Sequence, residues 1–136
     1  MADKILVIGA SRFGSNIANE RSLSGDDVII IDKNNEAFNK LSTDFGGYAI
    51  HGEATDLAVL ENAGISKARE VVVATNDDNT NIYLAHLCDS IYKVPLIIVR
   101  ISDYDKKSLL ENRKNIHAIY PFTLSMDKYK ALKGEK

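Results

Sequence analysis

An α/β fold, a doubly wound parallel sheet of six strands in the order 3-2-1-4-5-6 within a single domain, is what this sequence predicts. Three observations predict it. Short β-branched runs are continuously apolar and not alternating, the pattern of strands covered on both faces. Helix-like stretches separate them, so the strands must connect by crossovers. A glycine-bearing turn, Gly9-Ala-Ser-Arg-Phe-Gly14, joins the first run to the first helical stretch.

The first strand is Ile5–Ile8, and the helix after it runs from Phe13 to Ser24. Gly25-Asp-Asp ends that helix and turns into the second strand, Val28–Ile31. A helical stretch over Asn35–Asp44 is closed by Gly46-Gly47, before a weaker strand at Tyr48–His51. Leu57–Ala63 reads as a short helix ended by Gly64, leading to the strand Val71–Ala74. The clearest helix follows Asp78, with Ile82, Ala85, Cys88 and Ile91 at helical spacing. Leu96–Ile101 is the fifth strand, Asp105–Arg113 a helix, and Ala118–Tyr120 a weak sixth strand. Residues 1–121 form the expected main domain. Residues 122–136 are expected to be the start of a C-terminal helix or a tail, since Pro121–Lys136 reads as the start of a further helix with nothing beyond it to pack against.

Composition bounds the function. The 136 residues are 45% hydrophobic and 26% charged, a globular balance, and the formal net charge of -2 recommends neither nucleic acid nor an anionic membrane as partner. Cys88 is the only cysteine, which excludes an intrachain disulfide and fits a reducing compartment. The start, Met1-Ala-Asp-Lys4, enters an apolar run too short for a signal peptide or a span, so no direct membrane insertion is expected. His51, His86 and His117 lie far apart. Glu53, Asp77 and Asp78 are the acids that could hold a divalent cation, and no metal site is expected.

Chemistry concentrates at the predicted strand ends. Gly9 supplies the tight turn, Gly14 the close helix–strand packing, and the helix N-terminus presents amides to a phosphate. Ser11 stands where glycine lets a pyrophosphate approach, and it either crowds a diphosphate or donates a hydrogen bond to it. Asp32 ends the second strand, where an acid accepts both hydroxyls of an adenosine ribose. Its charge repels a 2'-phosphate, so NAD(H), ATP or ADP is expected and NADP is disfavoured, with Lys33 softening that preference. Gly52-Glu-Ala-Thr-Asp56 and Thr75-Asn-Asp-Asp-Asn-Thr-Asn81 follow strands three and four. Asp56 and Asp78 read as N-caps there, while Thr75 and Asn76 offer neutral polar groups to the crevice. Arg100 needs an anionic partner, either a loop acid or a ligand, and Arg12 either closes over phosphate or faces solvent.

In this combination the chain resembles the TrkA-N domain, also called the N-terminal domain of the regulator of potassium conductance, RCK. The likeness rests on Gly9-Ala-Ser-Arg-Phe-Gly14, Asp32, Gly52-Glu-Ala-Thr-Asp56, Val59-Leu-Glu-Asn-Ala-Gly-Ile65, Asn76-Asp-Asp-Asn-Thr-Asn81, Arg100 and Pro121. Ser11 and Glu53 depart from the family's usual glycine and aspartate. The resemblance implies a cytoplasmic, non-enzymatic regulatory domain, forming homodimers or rings beneath a membrane potassium channel or transporter subunit and sensing an adenine nucleotide. By that likeness the site comprises Gly9, Ala10, Ser11, Arg12, Phe13, Gly14, Asp32, Lys33, Glu53, Ala54, Thr55, Thr75, Asn76 and Arg100.

Two other classes compete. Tyr129-Lys-Ala-Leu-Lys133 has the Tyr-x-x-x-Lys spacing of short-chain dehydrogenases, which would make a small NAD-dependent oxidoreductase, although no acid–base pair accompanies it. An interaction module whose nucleotide site has decayed at Ser11 is the third.

Overall fold

The computed structural model describes residues 3–135; Met1 and Ala2, where the leader reading begins, and Lys136, where the tail ends, lie outside them. Among the described residues six strands form one sheet: β1 (Lys4–Ile8), β2 (Asp27–Asp32), β3 (Tyr48–His51), β4 (Glu70–Val73), β5 (Leu96–Arg100) and β6 (Ile116–Ile119). All pairings are parallel and the order is β3-β2-β1-β4-β5-β6, the Rossmann-like arrangement expected. β1 is central, with Leu6 opposite Ile29 on one side and Val71 on the other.

The continuous apolar runs follow from two cores. Ile5, Val7, Val28, Ile30 and Val72 point to one face, where Ala18, Phe13 and Ile17 of α1 (Arg12–Leu23) meet them. Leu6, Ile8, Ile29, Ile31, Val71 and Val73 point to the other, under Leu60 of α2 (Leu57–Asn62) and Leu84, Ala85 and Cys88 of α3 (Asp78–Ser90). Period-two alternation thus divides apolar residues between two apolar layers. Each fully buried Leu or Ile contributes about 1.5–3 kcal/mol over its exposed state.

Local structure differs from expectation where tertiary hydrogen bonds intervene. The helix expected over Asn35–Asp44 is a 3₁₀ segment that stops at Lys40, well before Gly46-Gly47. Asn19 of α1 ends it: its side chain donates to the Lys40 carbonyl and accepts the Ser42 N–H. Likewise Asp105–Arg113 forms only a 3₁₀ segment at Tyr104–Leu109, whose final carbonyl accepts from His86 Nε2. On α3 the buried stripe is Asn81, Leu84, Ala85, Leu87 and Cys88, while Ile91 is exposed. The sixth strand begins two residues earlier than expected, at Ile116. α4 (Pro121–Lys133) is a full helix with proline in its first turn and no buried residue.

Cys88 reports on the core. Burial, and secondarily the Asp89 charge, push its thiol up to about 12, so the reactive thiolate is scarce in the native state at neutral pH. A thiol reagent at pH 8 is expected to label Cys88 only as fast as the protein unfolds, with labelling tracking the urea transition. Labelling of the native protein at a free-thiol rate would contradict this packing.

Candidate functional site

The turns after β1, β2, β3 and β4 open at the same edge of the sheet, where parallel α/β sheets place ligands. They enclose a cavity of about 600 Å³, within the range of small-molecule sites. Ile8 and Ile31 form part of its apolar lining.

Glycine packing builds the first wall. Gly9 has φ +102°, and a Cβ on it would lie 2.6 Å from the Ala74 carbonyl and 2.7 Å from the Thr75 nitrogen. Gly14 lies so close to the turn that a Cβ on it would sit 2.0 Å from the Gly9 carbonyl oxygen. Both roles expected of these glycines are therefore packing roles against backbone. Ser11 caps α1: its Oγ accepts the Gly14 N–H at 3.2 Å and donates to the Ala74 carbonyl at 2.7 Å.

Asp32 faces this turn. Its Oδ2 accepts the Ala10 N–H at 2.8 Å, and Oδ1 accepts the Asn34 N–H at 2.7 Å. Each carboxylate oxygen keeps a further acceptor position for a ribose hydroxyl. Lys40, in the 3₁₀ segment after β2, donates from Nζ to the Ala10 carbonyl and shares the cavity lining.

The far wall is organised by Asn81, which is 1% exposed. Its Oδ1 accepts the N–H and hydroxyl of Thr75, and its Nδ2 donates to the carbonyls of Thr75 and Arg100. Asp77 caps α3, accepting the Asn79 N–H and the Thr80 hydroxyl. Those two bonds, the Thr80 one foremost, hold its carboxyl below its ordinary value. Asp78, read from sequence as that cap, instead accepts the N–H groups of Ser102 and Asp103 and ties down the loop after β5. Asp56 does cap α2.

Of the site residues named from sequence, Gly9, Ala10, Ser11, Asp32, Lys33, Glu53, Ala54, Thr75 and Asn76 line the cavity together. Phe13 turns into the core beneath α1, Gly14 is spent on packing, and Arg12 and Thr55 are exposed outside the lining. Arg100 is also outside it. Its Nη2 donates to the Thr75 carbonyl and Asn76 Oδ1, and its Nε is buried without a partner. Its partners within the chain are thus neutral acceptors and not the loop acid that was one of the two expectations. The cavity adds Asn34, Glu36, Ala37, Lys40, Gly52, Asp77 and Thr80. Asn34 had a signal, an Asx cap two residues past Asp32; Lys40 had none, since only the 3₁₀ turn brings it back. Among the described residues no cluster of metal-ligating groups occurs.

With this geometry in place, comparison gives consistent relatives. The TrkA-N domain family matches residues 5–121. The Trk system potassium uptake protein TrkA homolog of Pyrococcus horikoshii is 34% identical over 121 residues, 89% of this chain and 53% of that protein. The chain spans about half the length of the curated relatives it matches. The TrkA-N domain of inner membrane protein ybaL from Escherichia coli superimposes with a TM-score of 0.82 over 97% of both chains, at 16% identity, a likeness of fold alone. A structure of GsuK bound to ADP has a TM-score of 0.69 at 25% identity, covering 85% of this chain and 30% of that one.

Two substitutions in the walls, with a third at Gly25 as a control, test how the walls are held. Gly14→Ala should destabilise by about 3 kcal/mol or more, because its Cβ meets backbone that cannot yield. Gly25→Ala, at φ +93° with open space around it, should cost about 1 kcal/mol. Asn81→Leu should cost about 2–3 kcal/mol by leaving the Thr75 N–H and the Arg100 carbonyl unpaired. Urea unfolding of the three variants checks all of these values.

Proposed function

Since the chain belongs to the TrkA-N domain family, we propose that it is a regulatory domain that holds an adenine nucleotide and signals its occupancy to a membrane potassium channel or transporter. The observation that carries this reading is the cavity between the glycine turn after β1 and the carboxylate of Asp32. Amides of the turn would hold phosphate, and Asp32 would accept the ribose hydroxyls. Thr75 and Asn76 would contact the distal part of the ligand. NAD(H), ATP and ADP are the ligand classes; Asp32 disfavours NADP, and Lys33 and Lys40 soften that preference.

The ADP-bound relative of similar fold supports nucleotide binding. Residues 1–121 would form the nucleotide-holding unit and residues 122–136 a separate helical element. The exposed apolar side chains of that helix, such as Phe122, Leu124 and Leu132, suit contact with further protein, in a homodimer or ring. Placement on the cytoplasmic side, peripheral to a transporter, follows from the same reading. Among the described residues no helix is long and apolar enough to cross a membrane.

Sensing requires only differential affinity: a nucleotide shifts conformation as far as it binds one state better than another. A non-enzymatic role is favoured because Tyr129 and Lys133, the pair behind the oxidoreductase reading, lie exposed on α4 and outside the cavity lining. The open cavity likewise favours nucleotide holding over a decayed site.

Calorimetry with NAD, ATP, ADP and AMP is expected to show at least one dissociation constant better than about 1 mM. Asp32→Asn keeps an oxygen for the Ala10 N–H but turns its NH2 towards the Asn34 N–H; it should weaken that binding at least about tenfold, with a thermal melt checking that the fold is kept. Absence of binding by all four nucleotides would defeat the proposal.

A further inference from the structure

Resting on the reading of this cavity as an adenine-nucleotide site, we infer that Ser11 and the acidic rim select an adenosine monophosphate over dinucleotides and triphosphates.

The argument begins with backbone conformation. Ser11 has φ −67° and ψ 176°, an extended geometry open to any residue. Glycine is therefore not needed at this position for the chain to turn. Its use there is to let a ligand's diphosphate lie directly on the backbone. Here a Cβ and a hydroxyl occupy the cavity wall instead.

The hydroxyl is committed as well. A serine has one hydroxyl hydrogen, and in Ser11 it goes to the carbonyl of fully buried Ala74. A diphosphate crossing this side chain would meet a methylene and an oxygen lone pair, with no hydroxyl donor facing it. Turning the hydroxyl towards the ligand would forfeit the bond that seats the turn on the end of β4.

Amide donors on the turn are few. The N–H groups of Gly9, Ala10 and Gly14 are engaged by the Ile31 carbonyl, Asp32 and Ser11. Among the described residues, no hydrogen bond engages the N–H groups of Ser11, Arg12 and Phe13. Three consecutive amides at one helix end suit a single phosphate.

Charge acts in the same direction. The lining carries four acids, Asp32, Glu36, Glu53 and Asp77, against two lysines, Lys33 and Lys40. Hydrogen bonds from the Thr80 hydroxyl and the Asn79 N–H further favour the charged form of Asp77. Arg12 and Arg100 are outside the lining, but the Arg100 guanidinium donates to Thr75 and Asn76 in the wall, so it offsets part of that excess and not all of it. Each additional phosphate therefore brings negative charge to an already acidic rim. Because the rim is exposed, salt screens this penalty, whereas the Ser11 contact is short-range and unscreened.

Calorimetry with AMP, NAD and ATP, without divalent cations and at two salt concentrations, separates the two contributions. The wild-type chain should bind AMP at least about tenfold more tightly than NAD or ATP. Ser11→Gly should close the gap for NAD about tenfold, whereas Ser11→Ala, which keeps the Cβ, should leave NAD weak. Glu53→Gln combined with Asp77→Asn should improve ATP relative to AMP, most at low salt. If either serine variant fails to fold, judged by its thermal melt, the wild-type ranking decides alone. NAD or ATP binding as tightly as AMP would overturn the inference while leaving the nucleotide site standing, as would equal shifts in Ser11→Gly and Ser11→Ala. Failure of the wild-type chain to bind any of the three would remove the site itself.

Discussion

The approach of Gly14 to the Gly9 carbonyl is the contact on which the rest of the molecule depends. With no side chain on either residue, α1 leaves β1 through a turn tight enough to rest on the Ala74–Thr75 backbone. That seating fixes the angle at which α1 crosses the sheet and buries Ala18 on it. It also sets the turn beside the end of β4, forming one side of the crevice at the reversal of strand order. A methyl group at Gly14 would push helix and strand apart, and the crevice would lose its shape before any ligand was involved.

Polar groups around this contact are satisfied mostly by the protein itself. Asp32 holds the turn through Ala10 and its own loop through Asn34, so the proposed ribose acceptor is also a structural brace. Asn81 does comparable work on the opposite wall, where the ends of β4 and β5 would otherwise expose buried backbone groups. Such bracing limits reorganisation on binding, since the acceptors are already aimed before a ligand arrives. It also explains why the site can be narrow in its chemistry: the Gly9, Ala10 and Gly14 amides are already engaged.

Several site residues were legible because their chemistry is tied to a fixed position along the chain. Gly9 and Asp32 follow directly on strands, and strand ends are visible as breaks in apolar runs. Lys40 was not legible, because it reaches the cavity only through the 3₁₀ segment after β2, whose end depends on Asn19 of α1. Arg100 shows the opposite failure. Its strand position is as read, yet its guanidinium meets the Thr75 carbonyl and Asn76, because Asp78 turns to the loop after β5 and offers it no carboxylate.

Parallel pairing and two-sided burial were determined by the sequence alone, because apolar periodicity and crossover connections are properties of chain segments, while strand order followed from the doubly wound fold that the glycine turn marks. The same holds for the glycine turn, where only a residue without Cβ fits. Tertiary structure alone decided which cap holds α3, where the segment after β2 stops, and which acceptor the Ser11 hydroxyl serves. Each of those outcomes is a competition between hydrogen-bonding partners distant in sequence, such as Asn19 with Ser42 or Ser11 with Ala74. Their relative strength exists only once the sheet has brought them within about 3 Å.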